Sequence, residues 1–257
     1  MFKIIIKTIK YKFLSEMSYK ADFIGDLFIT FAINFFTISL FKVIFSYSEN
    51  FSYWTYDDFF LASLFFIAFR LLIECLDDGM FDFFEHVFSG KIDTYLCKPV
   101  KLYYLVVIYF IKPSKLLIAV LMYSYVFYYI FKNNLASNYI EAFLVILSTI
   151  IFSLIGLLFT FILSSLNLFS EKNLFIGIYN YHLSQMCYLP PTVYGEKLFK
   201  TLFISIPFIF SASVPVLILK HAQYYLFYLS FLPLTILLFI AYIFYKNYRP
   251  LLKSFGG

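Results

Sequence analysis

YIEAFLVILSTIIFSLIGLLFTFILSSLNL, residues Tyr139 to Leu168, holds one carboxylate, Glu141, and no other charge. A helix that crosses the hydrocarbon of a bilayer needs about 20 mostly apolar residues, and this run exceeds that. Gly156, near its middle, allows a neighbouring helix to approach closely. Similar runs flank it. One covers about Phe23 to Phe45 and a second about Phe59 to Leu76. A third covers about Leu102 to Phe131, with Pro113, Lys112 and Lys115 near its start, and a last one covers Tyr224 to Tyr245. Between Leu174 and Leu219 the apolar pattern is interrupted by Pro190, Pro191, Pro207 and Pro215. The reading is an all-α integral membrane protein with six transmembrane helices, the fifth irregular, forming one domain over 1–257.

Composition agrees. The chain of 257 residues is 62% hydrophobic and only 14% charged, with a mean hydropathy of +0.84. Soluble domains are nearer half apolar and a quarter charged, and one soluble core could not bury this much apolar surface. Disorder, a collagen-like fibre, a disulfide scaffold and a free-standing soluble enzyme are therefore excluded. Cys75, Cys97 and Cys187 are too scattered for a disulfide framework or a metal site. No basic stripe with interleaved stacking aromatics lies outside apolar surroundings, which argues against nucleic-acid binding. No small-residue cleavage site follows the first apolar run, so no removable signal peptide is expected.

Lysine and arginine set the expected orientation. With the N-terminus inside, fourteen of the twenty fall on the cytoplasmic side, among them Lys3, Lys7, Lys10, Lys12, Lys91, Lys98, Lys246 and Arg249. Lys112 and Lys115 are counted there as snorkelling side chains. Five, including Lys42, Lys132 and Lys220, fall outside, and Arg70 lies within a span. Both termini are expected in the cytoplasm and the protein in the cell membrane. Within residues 1–20, Phe2, Ile5, Ile6, Ile9, Phe13 and Met17 share one helical face, and Lys3, Lys7 and Lys10 another. That pattern fits a helix lying in the interface among membrane lipids, or an extension of the first span.

The loop 77–99 differs from an ordinary polar connector. It mixes five carboxylates with four phenylalanines, and Phe81, Phe84 and Phe88 recur at i, i+3 and i+7 with Asp82, Glu85 and His86 between them. Such a face needs something to cover it. A partner protein or the headgroup layer would serve, and the acidic charge favours the partner.

Gly90-Lys-Ile92-Asp93-Thr-Tyr95-Leu96-Cys-Lys98-Pro99 resembles the cytoplasmic-loop signature of permeases among the type-2 ATP-binding-cassette (ABC) exporters: glycine, a spacer, an aliphatic, an acidic residue, Tyr-Leu and a basic-Pro pair. Leu189-Pro190-Pro191-Thr-Val193-Tyr194, with Leu202, Ile206-Pro207 and Val214-Pro215, is similar to that family's second signature, before its last helix. Lys98 stands where arginine is more frequent, and Gly195 falls at a variable position.

The resemblance implies a translocation subunit of an ATP-driven exporter, not itself an enzyme. It would work as a homo- or heterodimer of permease subunits with a separate nucleotide-binding ATPase. ATP and magnesium would be bound by that ATPase. None of the eight glycines here belongs to a Gly-x-x-x-x-Gly-Lys-Ser/Thr phosphate loop. Phe81, Asp82, Phe84, Glu85, Phe88 and Asp93 would belong to the coupling helix that docks on the partner. Within 190–216, Leu198 to Pro215 would form a re-entrant hairpin capping the path from outside; a single kinked helix is the alternative. The cargo class is amphipathic, lipid-like, drug-like or peptide.

Four further residues are candidates for the path or its gate. Arg70 and Glu74, four apart in the second span, form either a gate or a self-satisfied pair. His182 and Gln185 either line the path or satisfy backbone carbonyls. Asp22 and Asp26 mark a solvated helix start, and His86 and His221 are loop histidines. No His, Cys or carboxylate spacing suggests a metal. A stand-alone immunity protein or an ion-coupled carrier is the competing reading. A carrier, however, needs titratable groups at mid-membrane, and these spans hold few.

Overall fold

The structure is a computed structural model describing residues 2–47, 53–76, 79, 80, 83, 86, 111–166, 186, 187 and 189–248. Among them the chain is helical and contains no strand. Helix α1 (Phe2–Ser18) leads through Tyr19 into α2 (Lys20–Tyr47). Then come α3 (Tyr56–Glu74), α4 (Pro113–Lys132) and α5 (Tyr139–Leu166). A 3₁₀ turn at Pro191–Tyr194 opens α6 (Gly195–Ser205), and a second at Pro207–Phe210 separates it from α7 (Ser213–His221). The chain closes with α8 (Tyr225–Leu229) and α9 (Phe231–Tyr248).

Among the described residues, four stretches are long and apolar enough to cross a membrane: Phe23–Tyr47, Pro113–Lys132, Tyr139–Leu166 and Tyr225–Asn247. They match the expected first, third, fourth and last spans. The expected second span corresponds to α3, where Asp57, Asp58, Arg70 and Glu74 lower the apolarity of a 19-residue helix. Of the expected irregular fifth segment, 174–219, residues 174–185 and 188 lie outside the described residues. Its C-terminal half is a series of short helices.

Local chemistry explains the boundaries. The Asp58 carboxylate accepts hydrogen bonds from the Thr55 backbone N–H at 2.8 Å and from its hydroxyl at 2.9 Å, which fixes the first turn of α3. Pro113 occupies the first turn of α4, where its missing N–H costs nothing. Pro207 ends α6: its ring drives Ile206 out of the helical region, to φ −136° and ψ 61°. Pro233 stands in the first turn of α9 and parts it from α8 in another way, since a proline has no N–H and crowds the carbonyl four residues earlier, here that of Leu229. Gly195, at φ +67°, occupies a conformation that other residues seldom adopt.

α3 is the centre. Phe59, Leu61, Leu64, Phe65, Phe66, Phe69 and Ile73 along it are buried. It packs against α2, α4, α5 and α7. Phe41 and Phe45 of α2 meet Phe59, with ring centroids 5.1 and 5.0 Å away, and Phe60 meets Tyr129 of α4 at 5.5 Å. Gly156 of α5 faces Ile73 and Phe69 so closely that a β-carbon there would displace the tip of Ile73. These pairings make α2 and α4 antiparallel to α3, and α5 parallel to it. The turn between α6 and α7 is fully enclosed. Phe208 packs on Phe159, about five helical turns along α5 from Glu141, and Phe203 packs on Phe152. By contrast, Ile24, Phe28, Phe31, Phe35 and Phe36 of α2 are exposed on several sides. A helix that is apolar all round and uncovered by protein belongs against lipid.

Candidate functional site

The end of α3 and the start of α4 meet where the chain departs into 77–110 and returns. Helical spacing puts Arg70 and Glu74 on one face, and the Arg70 Nε donates to Glu74 Oε1 at 2.6 Å. Because Pro113 opens α4, Lys115 falls in its first turn. Its Nζ lies 3.3 Å from Glu74 Oε2 and 3.3 Å from the Thr30 hydroxyl of α2. The two oxygens of one carboxylate are thus divided between two cations from different helices. Lys115 is only 7% exposed as a side chain, Arg70 is 51% exposed, and Glu74 lies between at 24%.

A second layer of bonds binds the same junction. The Lys112 N–H donates to the Cys75 carbonyl at 2.9 Å, so the strands of chain entering and leaving 77–110 are tied directly. Glu16 of α1 accepts the Ser114 N–H at 3.0 Å, satisfying one of the donors left over at the N-terminus of α4. The Lys12 ammonium reaches the Ile111 carbonyl at 3.4 Å. Helices α1, α2, α3 and α4 therefore converge on one charged junction.

The opposite end of α3 carries a different set. Lys220, at the end of α7, contacts Asp58 at 2.5 Å, and the Tyr224 hydroxyl donates to Glu141 at 2.7 Å. Glu141 also accepts the backbone N–H and hydroxyl of Ser137, each at 2.8 Å. Here acids sit at helix starts and Lys220 at a helix end, as the helix dipole favours. At the first junction the polarity is reversed. Glu74 is the last residue of α3 and Lys115 lies in the first turn of α4, each at the end its dipole disfavours. Their mutual pairing, together with Arg70 on Glu74 and the Thr30 hydroxyl on Lys115, offsets this, so that junction leans more on its side-chain partners than the other does.

Of the expected site residues, Arg70 and Glu74 are brought together as an ion pair. Phe81, Asp82, Phe84, Glu85, Phe88, Asp93, His182 and Gln185 lie outside the described residues. The expectation that Lys115 snorkels to the interface is corrected: it is buried and turned onto Glu74. Glu16, Asp58, Lys220, Glu141 and Tyr224 were not singled out as partners by sequence, since each meets a residue far away in the chain. Lys115 did leave a signal, a charge just behind a helix-opening proline in an apolar run. Among the described residues, no group of His, Cys, Asp or Glu is arranged to hold a metal ion.

The family model for the ABC-2 family transporter protein matches residues 28–251, from the first third of α2 to just beyond α9. No curated protein and no solved structure matches the chain. The match takes in the junction at Arg70, Glu74 and Lys115, the acidic-aromatic segment that leaves it, and the proline-broken α6–α7 region. This chain is a multi-pass membrane protein belonging to the ABC-2 transporter family, the membrane-embedded part of an ABC transporter system.

Proposed function

We propose that this chain is the permease subunit of an ATP-driven exporter, carrying an amphipathic or lipid-like compound out of the cell. Its energy comes from a separate nucleotide-binding ATPase, which binds the ATP and magnesium, and two permease subunits enclose the path. The family match over 28–251 carries this reading. The segment 77–99 then docks on the ATPase. Phe81, Phe84 and Phe88 fill an apolar groove, while Asp82, Glu85 and Asp93 face basic groups at its rim.

The described geometry supports a route for the motion. When the ATPase subunits close, the segment they hold is displaced as a body. Its two roots are Cys75 and Lys112, joined by a backbone hydrogen bond and set directly beside the Arg70, Glu74 and Lys115 cluster. A pull on that root changes how α3 and α4 meet, which opens or closes the path between permease subunits. At the other end, α6 and α7 form the re-entrant cap, held by Lys220 on Asp58. Both termini are placed in the cytoplasm by the lysine distribution.

Coexpression with the neighbouring ATPase tests this. Phe84→Asp should weaken the complex by about 30-fold or more, as loss of a buried aromatic anchor does. ATP hydrolysis in vesicles should then lose its dependence on the permease. Unchanged binding and coupling in that variant would remove the segment from the interface.

A further inference from the structure

Arg70 is incompletely satisfied. Guanidinium groups carry five N–H donors. Among the described residues only the Nε of Arg70 has a partner, Glu74, whose other oxygen faces Lys115. The two terminal nitrogens have none, and the side chain remains 51% exposed. It opens into a cleft between α2 and α3, walled by Ile33, Ile67 and Leu71, carrying Thr30 and Asn34 one helical turn apart and bordered by the Glu74 carboxylate, whose charge is met by Arg70 and Lys115. The Asn34 amide donates to the Thr30 carbonyl at 2.7 Å, and the Thr30 hydroxyl is approached by Lys115. Among the described residues, one amide N–H of Asn34 and the outer edge of the guanidinium have no protein acceptor, which leaves them to a ligand. Phe31 and Phe35 of α2, each next in the chain to a cleft residue, are exposed apolar surface.

A guanidinium in a membrane-embedded helix is costly unless anions meet it, and Glu74 takes only the Nε edge of Arg70. Its planar fork matches two oxygens of one phosphate better than a lone ammonium does. The cleft offers that fork next to an amide donor, with aliphatic walls and a lipid-facing aromatic helix beside it. Neither a free polar solute nor a neutral oil uses all of these features. We propose that the α2–α3 cleft binds a phosphate-bearing anionic amphiphile, its headgroup on Arg70 and Asn34 and its chains along α2. The site deepens the exporter reading by naming a ligand chemistry, and rests on it for the lipid setting.

The test uses the full-length chain alone, purified in detergent without any ATPase, so failure here leaves the exporter reading intact. Phosphatidylglycerol and phosphatidylcholine of equal chain length are offered, and the retained lipid is counted by native mass spectrometry. Retention of phosphatidylglycerol should exceed that of phosphatidylcholine about tenfold. Arg70→Gln should remove about nine-tenths of that preference, and Arg70→Lys should keep part of it. Asn34→Leu, which fills the cleft and changes no charge, should also lower retention, and it decides the matter if the Arg70 variants do not fold. Millimolar inorganic phosphate should fail to displace the lipid. Equal retention of the two lipids, or no change in Arg70→Gln and Asn34→Leu, would overturn the site. Displacement by inorganic phosphate would overturn the amphiphile in favour of a soluble anion.

Discussion

Glu74 is one carboxylate facing two cations, at a helix end where its own backbone dipole opposes it. Removing it exposes how the junction balances. Glu74→Gln should cost about 1–3 kcal/mol, less than the roughly 3–5 kcal/mol of breaking a fully buried pair, because the group is partly solvated. The double variant Glu74→Gln, Lys115→Met should recover most of that loss, since it also removes the buried ammonium. Thermal unfolding in detergent measures both. Gly156 gives a second residue-level expectation. Gly156→Ala should change stability by less than about 1 kcal/mol, because the gain in helix propensity offsets a small shift of the Ile73 tip. Gly156→Leu should cost about 1–3 kcal/mol, because Phe69 as well as Ile73 must then move. At this scale the sequence showed what is local. Arg70 and Glu74 stood out by their spacing, and Gly156 by its place in an apolar run. Lys115 was misjudged because its partner lies on another helix, on the far side of 77–110.

Among the elements, the apolar runs foretold α2, α4, α5 and the α8–α9 pair, because twenty uncharged residues leave a chain few alternatives in lipid. Pro113 and Pro207 each stand at a helix boundary, whereas Pro215, expected to interrupt the pattern, lies in the first turn of α7, and the break before Pro233 was not expected. α3 was harder. Its charges make it a weak membrane segment by composition, yet it is the packing centre, and Asp58 and Glu74 meet partners from α7, α4 and the Thr55 cap. Long-range pairing of that kind has no periodic signature. The attachment of α7 to α3 is testable. Lys220→Met leaves the buried Asp58 without its cation and should cost about 1–3 kcal/mol. Adding Asp58→Asn should restore much of it, and limited proteolysis at His221–Gln223 should follow the same order.

Across the whole molecule, the two ends of the bundle differ in kind. One end is closed by pairs that agree with their helix dipoles, Asp58 with Lys220 and Glu141 with Tyr224. The other is a junction of four helices whose central pair opposes its dipoles, and the acidic-aromatic segment leaves from it. An end whose pairs agree with their dipoles and one whose central pair opposes them, with residues 77–110 rooted in the latter, suit the proposed subunit that is moved by a partner. Membrane character and family were legible in composition, topology and two short signatures. Cargo was not, because apolar aromatic walls accommodate many compounds.

The most direct measurement is purification of the tagged chain from its native membranes in mild detergent, with the copurifying subunits quantified and reconstituted for transport. The account predicts an ATPase carrying a phosphate-binding loop in equal amount to the permease, lost in Phe84→Asp, and export that stops when ATP is withheld. A chain that transports in vesicles with no nucleotide-binding subunit attached would contradict it.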